Sequence, residues 1–281
     1  MSEALPPGLY IVATPIGNLS DLSPRAADIL ARADVLAVED SRVTAKLLRH
    51  LGVRRPMTPY HDHNADRVRP ELVARLGAGA VALVSDAGTP LISDPGYKLV
   101  RDARAAGAAV HTVPGPCAAI AALTLAGLPT DRFLFMGFLP AKSGARAAAI
   151  AEVAAVRASL VLYESGPRLA ATLADLAAGL GSRDAAVVRE ISKRFEETVV
   201  DRLDALARHY ADAPAPKGEI VVVVGPPGEP EAPDADALDV ALTDALARLS
   251  PSRAAAEVAE RLGLPRKAVY ARAQALKEGF E

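Results

Sequence analysis

Charged side chains directly follow an apolar run near the start of the chain. The segment 39–42 (EDSR) comes immediately after 35–38 (VLAV), which predicts a buried strand. Functional residues concentrate on loops that a rigid strand positions. Glu39 and Asp40 could accept a proton, and Arg42 could hold a phosphate. We therefore take the acidic pair as candidate catalytic groups and Arg42 as a candidate substrate contact; alternatively, the pair only orients neighbouring loops.

Three loops rich in Gly and Pro also follow predicted strands: 13–18 (ATPIGN), 85–96 (SDAGTPLISDPG) and 114–119 (PGPCAA). In a parallel sheet the carboxyl ends of the strands share one edge, where ligands of α/β proteins bind. Glycines let the backbone approach a ligand, and the helix starts that follow add positive partial charge. The pattern predicts a ligand cleft, although one such loop alone would be an ordinary turn.

Two other groups suggest different chemistry. His61, Asp62, His63 and Asp66 are sensible metal ligands, but the chain has only five His, so a polar loop or a substrate contact competes with a metal site. Cys117 opens a predicted helix, where a thiol becomes more acidic, but no histidine partner is evident and an inert thiol is the alternative. We predict no metal.

Familiar nucleotide motifs are absent. The string 77–82 (GAGAVA) lies after a helix and before a strand, the reverse of the dinucleotide-binding order, and no P-loop string occurs. The sequence therefore contains no motif that would indicate nucleotide hydrolysis or ordinary NAD binding.

The order of predicted elements defines the domains. Strands and helices alternate up to residue 126, which predicts a largely parallel sheet, and residues 133–224 predict a mixed sheet. A linker of Gly and Pro follows at 225–233, and the tail predicts two helices, 253–262 and 267–277, as a docking hairpin or a helix-turn-helix. We predict an α/β fold with domains at 1–127 and 128–226 and a C-terminal helical extension at 227–281.

Composition limits the functional classes. The 281 residues are 51% hydrophobic and 23% charged, with a net charge of -2 and a single cysteine. Disorder, a disulfide framework and a polycation are excluded, while a local basic patch remains open. No apolar run reaches the roughly 20 residues of a membrane helix, and the first residues lack a signal-peptide pattern. We expect a soluble, cytoplasmic protein.

Nine motifs together identify a family. ATPIGN, VEDSR, HDHN, VSDAGTPLISDPG, VPGPCAA, GFLPAK, YES, RE and KGE occur in the order and spacing of the ribosomal RNA small subunit methyltransferase I family. The chain thus resembles a family that belongs to the tetrapyrrole methylase superfamily. The resemblance runs from Leu9 to about Ala273. One departure is Gly166-Pro167-Arg168, where members more usually carry Thr/Pro-His-Arg.

The resemblance implies two α/β domains of the tetrapyrrole methylase type with a cleft for S-adenosylmethionine between them. It also implies methyl transfer to the ribose 2′-oxygen of a cytidine in the decoding region of 16S rRNA, and a homodimer. The cofactor contacts it implies are Pro15, Ser85, Asp86, Ala87, Gly88, Cys117, Ala118, Tyr163, Glu164 and Val188.

Substrate contacts are predicted from polar residues near the same loops and strand ends, namely His61, Asn64 and Lys217 besides Arg42. RNA contact is expected to be electrostatic, on the 16S rRNA itself or the small ribosomal subunit. The basic candidates are Lys142, Arg146, Arg168, Lys193, Arg194, Arg253, Arg266, Lys267 and Arg272. The alternatives are a tetrapyrrole methyltransferase, against which the basic tail argues, a non-catalytic RNA-binding or assembly module, and a metal hydrolase.

Overall fold

The computed structural model describes residues 4–228 and 235–278. The chain forms two compact units, Met1–Pro226 and Pro227–Glu281. The first unit contains two five-stranded sheets, and the described residues of the second are helical. The predicted α/β fold, with a largely parallel sheet, a mixed sheet and a C-terminal helical extension, is confirmed. A domain boundary between residues 127 and 128 stays a prediction.

The first sheet is wholly parallel. Its strands are β1 (Gly8–Val12), β2 (Val35–Val38), β3 (Met57–Pro59), β4 (Ala80–Val84) and β5 (Val110–Val113), in the order β3-β2-β4-β1-β5. Every residue of β2 and β4 is buried, as the continuous apolar runs predict for strands covered on both faces. The helices that follow the neighbouring strands β1 and β4 pack on opposite faces of the sheet. Such an arrangement leaves a crevice at the carboxyl ends of the two strands.

Four helices connect these strands, and a fifth leads from β5 to the second sheet. They are α1 (Pro24–Arg32), α2 (Ser41–His50), α3 (Ala65–Arg75), α4 (Tyr97–Ala105) and α5 (Ala118–Ala126). The predicted start of α1 is confirmed: the backbone N–H of Ala26 donates to Ser23 Oγ at 3.0 Å, and Pro24 takes the first helical position.

The second sheet is mixed, as predicted. Its strands are β6 (Phe133–Phe138), β7 (Ser159–Ser165), β8 (Asp184–Arg189), β9 (Glu197–Arg202) and β10 (Glu219–Val224), in the order β6-β7-β10-β8-β9. Only the β6–β7 pair is parallel. The helices of this half are α6 (Ser143–Val153), α7 (Gly166–Leu180) and α8 (Leu203–Asp212).

Helix α5 joins the two halves of the first unit. Its buried residues Ala119, Ala122 and Leu123 pack against Val161 and Val221 of the second sheet. The loop before α5 starts at the carboxyl end of β5. The packing of α5 therefore places the second sheet next to the edge of the first sheet where the strands have their carboxyl ends.

The C-terminal unit contains three described helices rather than the predicted pair. They are α9 (Ala235–Leu246), α10 (Pro251–Leu262) and α11 (Arg266–Glu278). The predicted two-helix hairpin omits α9, whose sequence is strongly acidic. Leu238 and Leu242 nevertheless recur there at helical spacing and pack into the unit's small core. Across the residues that the structure describes, each helix is too short or too polar to span a bilayer.

Candidate functional site

The three Gly/Pro loops meet at one edge of the first sheet and are tied to each other. Thr14 and Gly88 exchange two backbone hydrogen bonds, of 2.9 and 3.1 Å. Thr89 Oγ1 donates to the carbonyl of Pro116 at 2.9 Å. The third contact joins the loop before α5 to the first loop: a Cβ added at Gly115 would lie 2.9 Å from the Cβ of Ala13. The predicted convergence of the loops is therefore present.

These loops form one wall of a cleft whose volume is about 430 Å³. The second sheet supplies the opposite wall through the ends of β7 and β10. The lining from the first half is Ile16, Glu39, Asp86, Ala87, Gly88, Thr89, Ile92, Ser93, Asp94, Cys117 and Ala118. The lining from the second half is Phe138, Tyr163, Glu164, Ser165, Ile191, Gly218, Glu219, Ile220 and Val221. A cleft of this size fits a small-molecule ligand or cofactor.

The loop after β4 has an unusual backbone. Leu91 and Ser93 take left-handed conformations, with φ of 77° and 63°, which cost free energy for residues with a Cβ. Strained residues of this kind cluster at ligand sites. The loop also contributes Asp86 and Asp94 to the cleft.

Three carboxyl groups of the cleft have raised pKa values. Burial is the main cause for Glu39, Asp86 and Asp94, and the charges of the two aspartates raise the pKa of Glu39 further. Burial and the clustering of carboxylates favour the protonated forms, and the same cluster of negative charge would also attract a cationic ligand.

Asp40 lies in a different environment although it is adjacent to Glu39. It is the N-cap of α2, accepting from the backbone N–H of Arg42 at 2.8 Å, and its carboxylate also forms an ion pair with the Arg42 guanidinium at 2.6 Å. These hydrogen bonds lower the pKa of Asp40 to about 2. Its own backbone N–H donates to Asp86 at 3.0 Å. Neither Asp40 nor Arg42 lines the cleft.

An aromatic group contributes to the second wall. The Tyr163 ring packs edge-on against Phe135 and Phe138, with ring centroids 4.9 and 5.6 Å apart. Burial, with the neighbouring Cys117 thiol, raises the pKa of Tyr163. Among the described residues that line the cleft none is a histidine, so no imidazole base lies in the lining beside Cys117.

Glu164 lines the cleft, yet its carboxylate is fully engaged. It accepts hydrogen bonds from the backbone N–H of Ser165 at 2.8 Å and from Thr172 Oγ1 at 2.6 Å, and it pairs with Arg168 at 3.2 Å. A buried carboxylate held in this way fixes the start of α7 against β7.

The remaining predicted contacts lie outside the lining. Pro15 and Ser85 are buried just behind it, and Val188 packs in the core between α5 and the second sheet. Lys217 is exposed and adjacent to the lining residue Gly218. Their contact with a cofactor or substrate stays a prediction.

His61 and Asn64 belong to the turn before α3. Asn64 Oδ1 accepts from the backbone N–H of His61 at 2.9 Å, and its Nδ2 donates to the carbonyl of Pro59. Asp66 pairs with Arg69 instead of a histidine. Within residues 4–228 and 235–278, no group of three or more His, Cys, Asp or Glu is arranged to hold a metal.

Sequence reasoning missed several lining residues, chiefly Asp94, Phe138 and Ile191. Asp94 belongs to a loop that was recognised, and Phe138 ends a predicted strand. No sequence pattern marks Ile191 as a lining residue. It lies on the connection between β8 and β9, whose path depends on how the second sheet is assembled.

The basic candidates for RNA contact divide into two groups. Arg146 is only 5% exposed and pairs with Asp175, so it is unavailable to a phosphate and its prediction was wrong. Arg168, Lys193 and Arg272 are also held in ion pairs. By contrast, the described structure shows no ion pair for Lys142, Arg194, Arg253, Arg266 or Lys267.

Comparison with known proteins gives the family. A model described as Tetrapyrrole (Corrin/Porphyrin) Methylases matches residues 8–207, and one described as RsmI C-terminal HTH domain matches residues 231–277. A protein of Mesorhizobium japonicum named Ribosomal RNA small subunit methyltransferase I is 50% identical over 279 residues, 99% of this chain and 95% of its own. This chain belongs to the ribosomal RNA small subunit methyltransferase I family. The resemblance seen in the motifs is confirmed.

Another relative of that methyltransferase family gives the same result, and solved structures agree on the fold. The Erythrobacter litoralis protein of the same name is 53% identical and covers 98% of both chains. A diphthine synthase structure aligns with a TM-score of 0.61 at 17% identity, covering 77% of this chain and 89% of its own. Uroporphyrin-III C-methyl transferase of Thermus thermophilus, complexed with S-adenyl homocysteine, aligns at 0.53 and 22% identity over 78% of this chain and 97% of its own. At these identities the two structures support the fold alone.

Proposed function

We propose that this chain transfers a methyl group from S-adenosylmethionine to the ribose 2′-oxygen of a cytidine in the decoding region of 16S rRNA. The observation that carries the proposal is the cleft itself, in which three mutually tied loops face the second sheet and enclose about 430 Å³. The named relatives supply the substrate class, small-subunit ribosomal RNA.

The lining residues fit S-adenosylmethionine. Ile16, Ile191 and Phe138 offer an apolar surface for a purine, and the carboxylates of Asp86 and Asp94 complement a sulfonium cation. Helix α5 begins at Ala118 with no side-chain cap at Cys117, which leaves backbone N–H groups for the amino-acid carboxylate. The Thermus thermophilus structure with its bound S-adenyl homocysteine supports this use of the fold.

When bound, the cofactor supplies an electrophilic methyl group, and this chain's residues must align the acceptor and handle its proton. We propose Glu39 as the proton acceptor, because it lines the cleft and burial raises its pKa, which makes it a stronger base than an ordinary carboxylate. Asp40 then serves to cap α2 and hold Arg42. Apolar lining residues exclude water, so the positioned hydroxyl meets the methyl carbon in a shielded cleft.

The C-terminal unit favours RNA over a tetrapyrrole as the acceptor. The named relatives align over 98–99% of this chain and therefore include that unit, whereas the uroporphyrin enzyme aligns over 78%. Arg253, Arg266 and Lys267 in this unit are free of ion pairs among the described residues, and Lys and Arg supply most of the affinity for a phosphate backbone.

Transfer of isotope-labelled methyl groups tests the proposal. The purified protein is incubated with labelled S-adenosylmethionine and small subunits from cells lacking the gene, and the RNA is digested to nucleosides for mass spectrometry. We expect labelled 2′-O-methylcytidine at one decoding-region position, and little with the Glu39→Gln variant. Label on a base, label on uroporphyrinogen III offered in parallel, or cofactor binding without transfer would each contradict the assignment.

A further inference from the structure

An exposed aromatic residue lies on the connection between β8 and β9. Phe195 is 63% exposed, and the Arg194 guanidinium lies over its ring at 5.5 Å from the centroid. Among the described residues Arg194 forms no ion pair, so its charge is available to a ligand. The exposed ring offers a π-face and the unpaired guanidinium offers a positive charge, so together they suit a ligand that is both aromatic and anionic.

The connection that carries Phe195 is firmly braced. Glu190 and Ser192 take left-handed conformations, with φ of 52° and 65°. The ammonium group of Lys193 bridges the carboxylates of Glu190 and Glu219, at 2.8 Å to each. The Glu196 carboxylate accepts from the backbone N–H of Ser192 at 2.6 Å. The position of Phe195 is therefore built into the loop.

The same connection reaches across to the first sheet. The Ser192 hydroxyl donates to Asp21, and the aliphatic chain of Lys193 covers Gly17 so closely that any Cβ there would overlap it. Ile191 and Glu219 line the cleft, as does Ile16 beside Gly17. Arg194 and Phe195 thus directly follow a segment that contains the lining residue Ile191 and contacts the first half of the unit.

We propose that Arg194 and Phe195 form a stacking platform for an unpaired base of the RNA substrate, next to the nucleotide that enters the cleft. A base stacks on the Phe195 ring while the Arg194 guanidinium holds the adjoining phosphate; single-stranded RNA is commonly bound in this way. The inference rests on the proposed function, since it names a further contact to the same RNA. It commits to an unpaired base and not to a second copy of this chain.

The chain has no tryptophan, so a Phe195→Trp variant places a sole tryptophan reporter on the platform. We expect its fluorescence to be quenched by a single-stranded cytidine-containing oligoribonucleotide and much less by the same sequence in a duplex. The matched control is Phe133→Trp, at an exposed position at the opposite end of β6 from the cleft residue Phe138. Equal quenching at both positions, or none at Phe195→Trp where the oligonucleotide binds, would overturn the proposal.

Kinetics provide a second, independent test. With small subunits as substrate, we expect Phe195→Ala to raise KM for RNA about tenfold with kcat and the Kd for S-adenosylmethionine unchanged, and Phe195→Trp to restore KM. Arg194→Gln should reduce the salt dependence of RNA binding by about one phosphate contact. Unchanged KM, or a Phe195→Ala protein whose sedimentation shows a changed oligomeric state, would contradict a stacking role. If the wild-type protein methylates no ribosomal RNA at all, it is the proposed function that fails.

Discussion

Glu39 and Asp40 are adjacent in sequence, yet their environments separate their chemistry. Burial and two neighbouring aspartates raise the pKa of Glu39, while Arg42 lowers that of Asp40 to about 2. A carboxyl group with a low pKa is a weak base, whereas a raised pKa brings a carboxylate closer to the working pH. These environments suit Glu39 to the proposed role of proton acceptor, whereas Asp40 caps α2.

The pH profile of the reaction tests this difference. Glu39 must be ionised to accept a proton, so kcat/KM should fall as the pH drops through its pKa, which burial raises from the ordinary value for Glu. We expect Glu39→Gln to lower kcat by about 10²–10⁴ and to remove this acidic limb. Asp40→Asn, which keeps a capping oxygen, should leave the limb in place. An acidic limb that persists in the Glu39→Gln protein would contradict the assignment.

At this scale the sequence indicated where polar groups lie but not how each is used. Glu39 was identified because it ends a buried strand. Asp40 caps α2, and Asn64 closes the turn before α3. Asp and Asn form such local hydrogen bonds as readily as they bind ligands, so residue type alone does not distinguish the two uses. Asp94 and Ile191 required knowledge of how two loops fold back on the cleft.

The close contact between α7 and the segment before β10 leads to a prediction about stability. At Gly166, the first residue of α7, a Cβ would overlap the carbonyl of Pro216, which belongs to the segment before β10. Gly166→Ala must displace backbone and should lower the free energy of unfolding by about 1–3 kcal/mol.

Gly144, in the first turn of α6, supplies the matched control because no atom lies within 4 Å of an added Cβ. Gly144→Ala should be neutral or stabilise by up to about 1 kcal/mol. Both are measured by urea unfolding followed by circular dichroism. Equal effects of the two substitutions would show that Pro216 is not the obstacle.

The elements most accurately predicted were those with a continuous apolar run or a clear helix cap. The strands β1, β2, β4 and β10 are continuous apolar runs, and Ser23-Pro24 marks the start of α1. Strand β3 was missed because it has three residues and ends in Pro59. Its pairing with β2 is a tertiary property that a short segment does not encode.

The chain forms two compact units, and we propose that the first holds the cofactor while the second adds affinity for RNA. The cleft lies within Met1–Pro226, while Pro227–Glu281 is a compact unit with its own core of residues such as Leu242 and Val258. Removing residues 227–281 should therefore weaken RNA binding by at least tenfold and leave the Kd for S-adenosylmethionine within about twofold. Filter binding and calorimetry on the same preparations measure the two. Equal loss of both affinities would count against this division.

The homodimer that the family resemblance implies stays a prediction, and sedimentation equilibrium of the full chain tests it. A dimer mass across the micromolar range is expected. A monomer mass at all concentrations would contradict it.

Titration calorimetry with S-adenosylmethionine tests the central claim most directly, that three loops on one sheet edge hold a methyl donor. We predict one site per chain, and an affinity at least tenfold lower for Gly115→Ala, whose added Cβ would press on Ala13 and push the first and third loops away from each other. Gly77→Ala, at the opposite end of the sheet with no atom within 4 Å, should bind like the wild type. No binding heat from the folded wild-type protein, or equal affinities for all three proteins, would contradict the account.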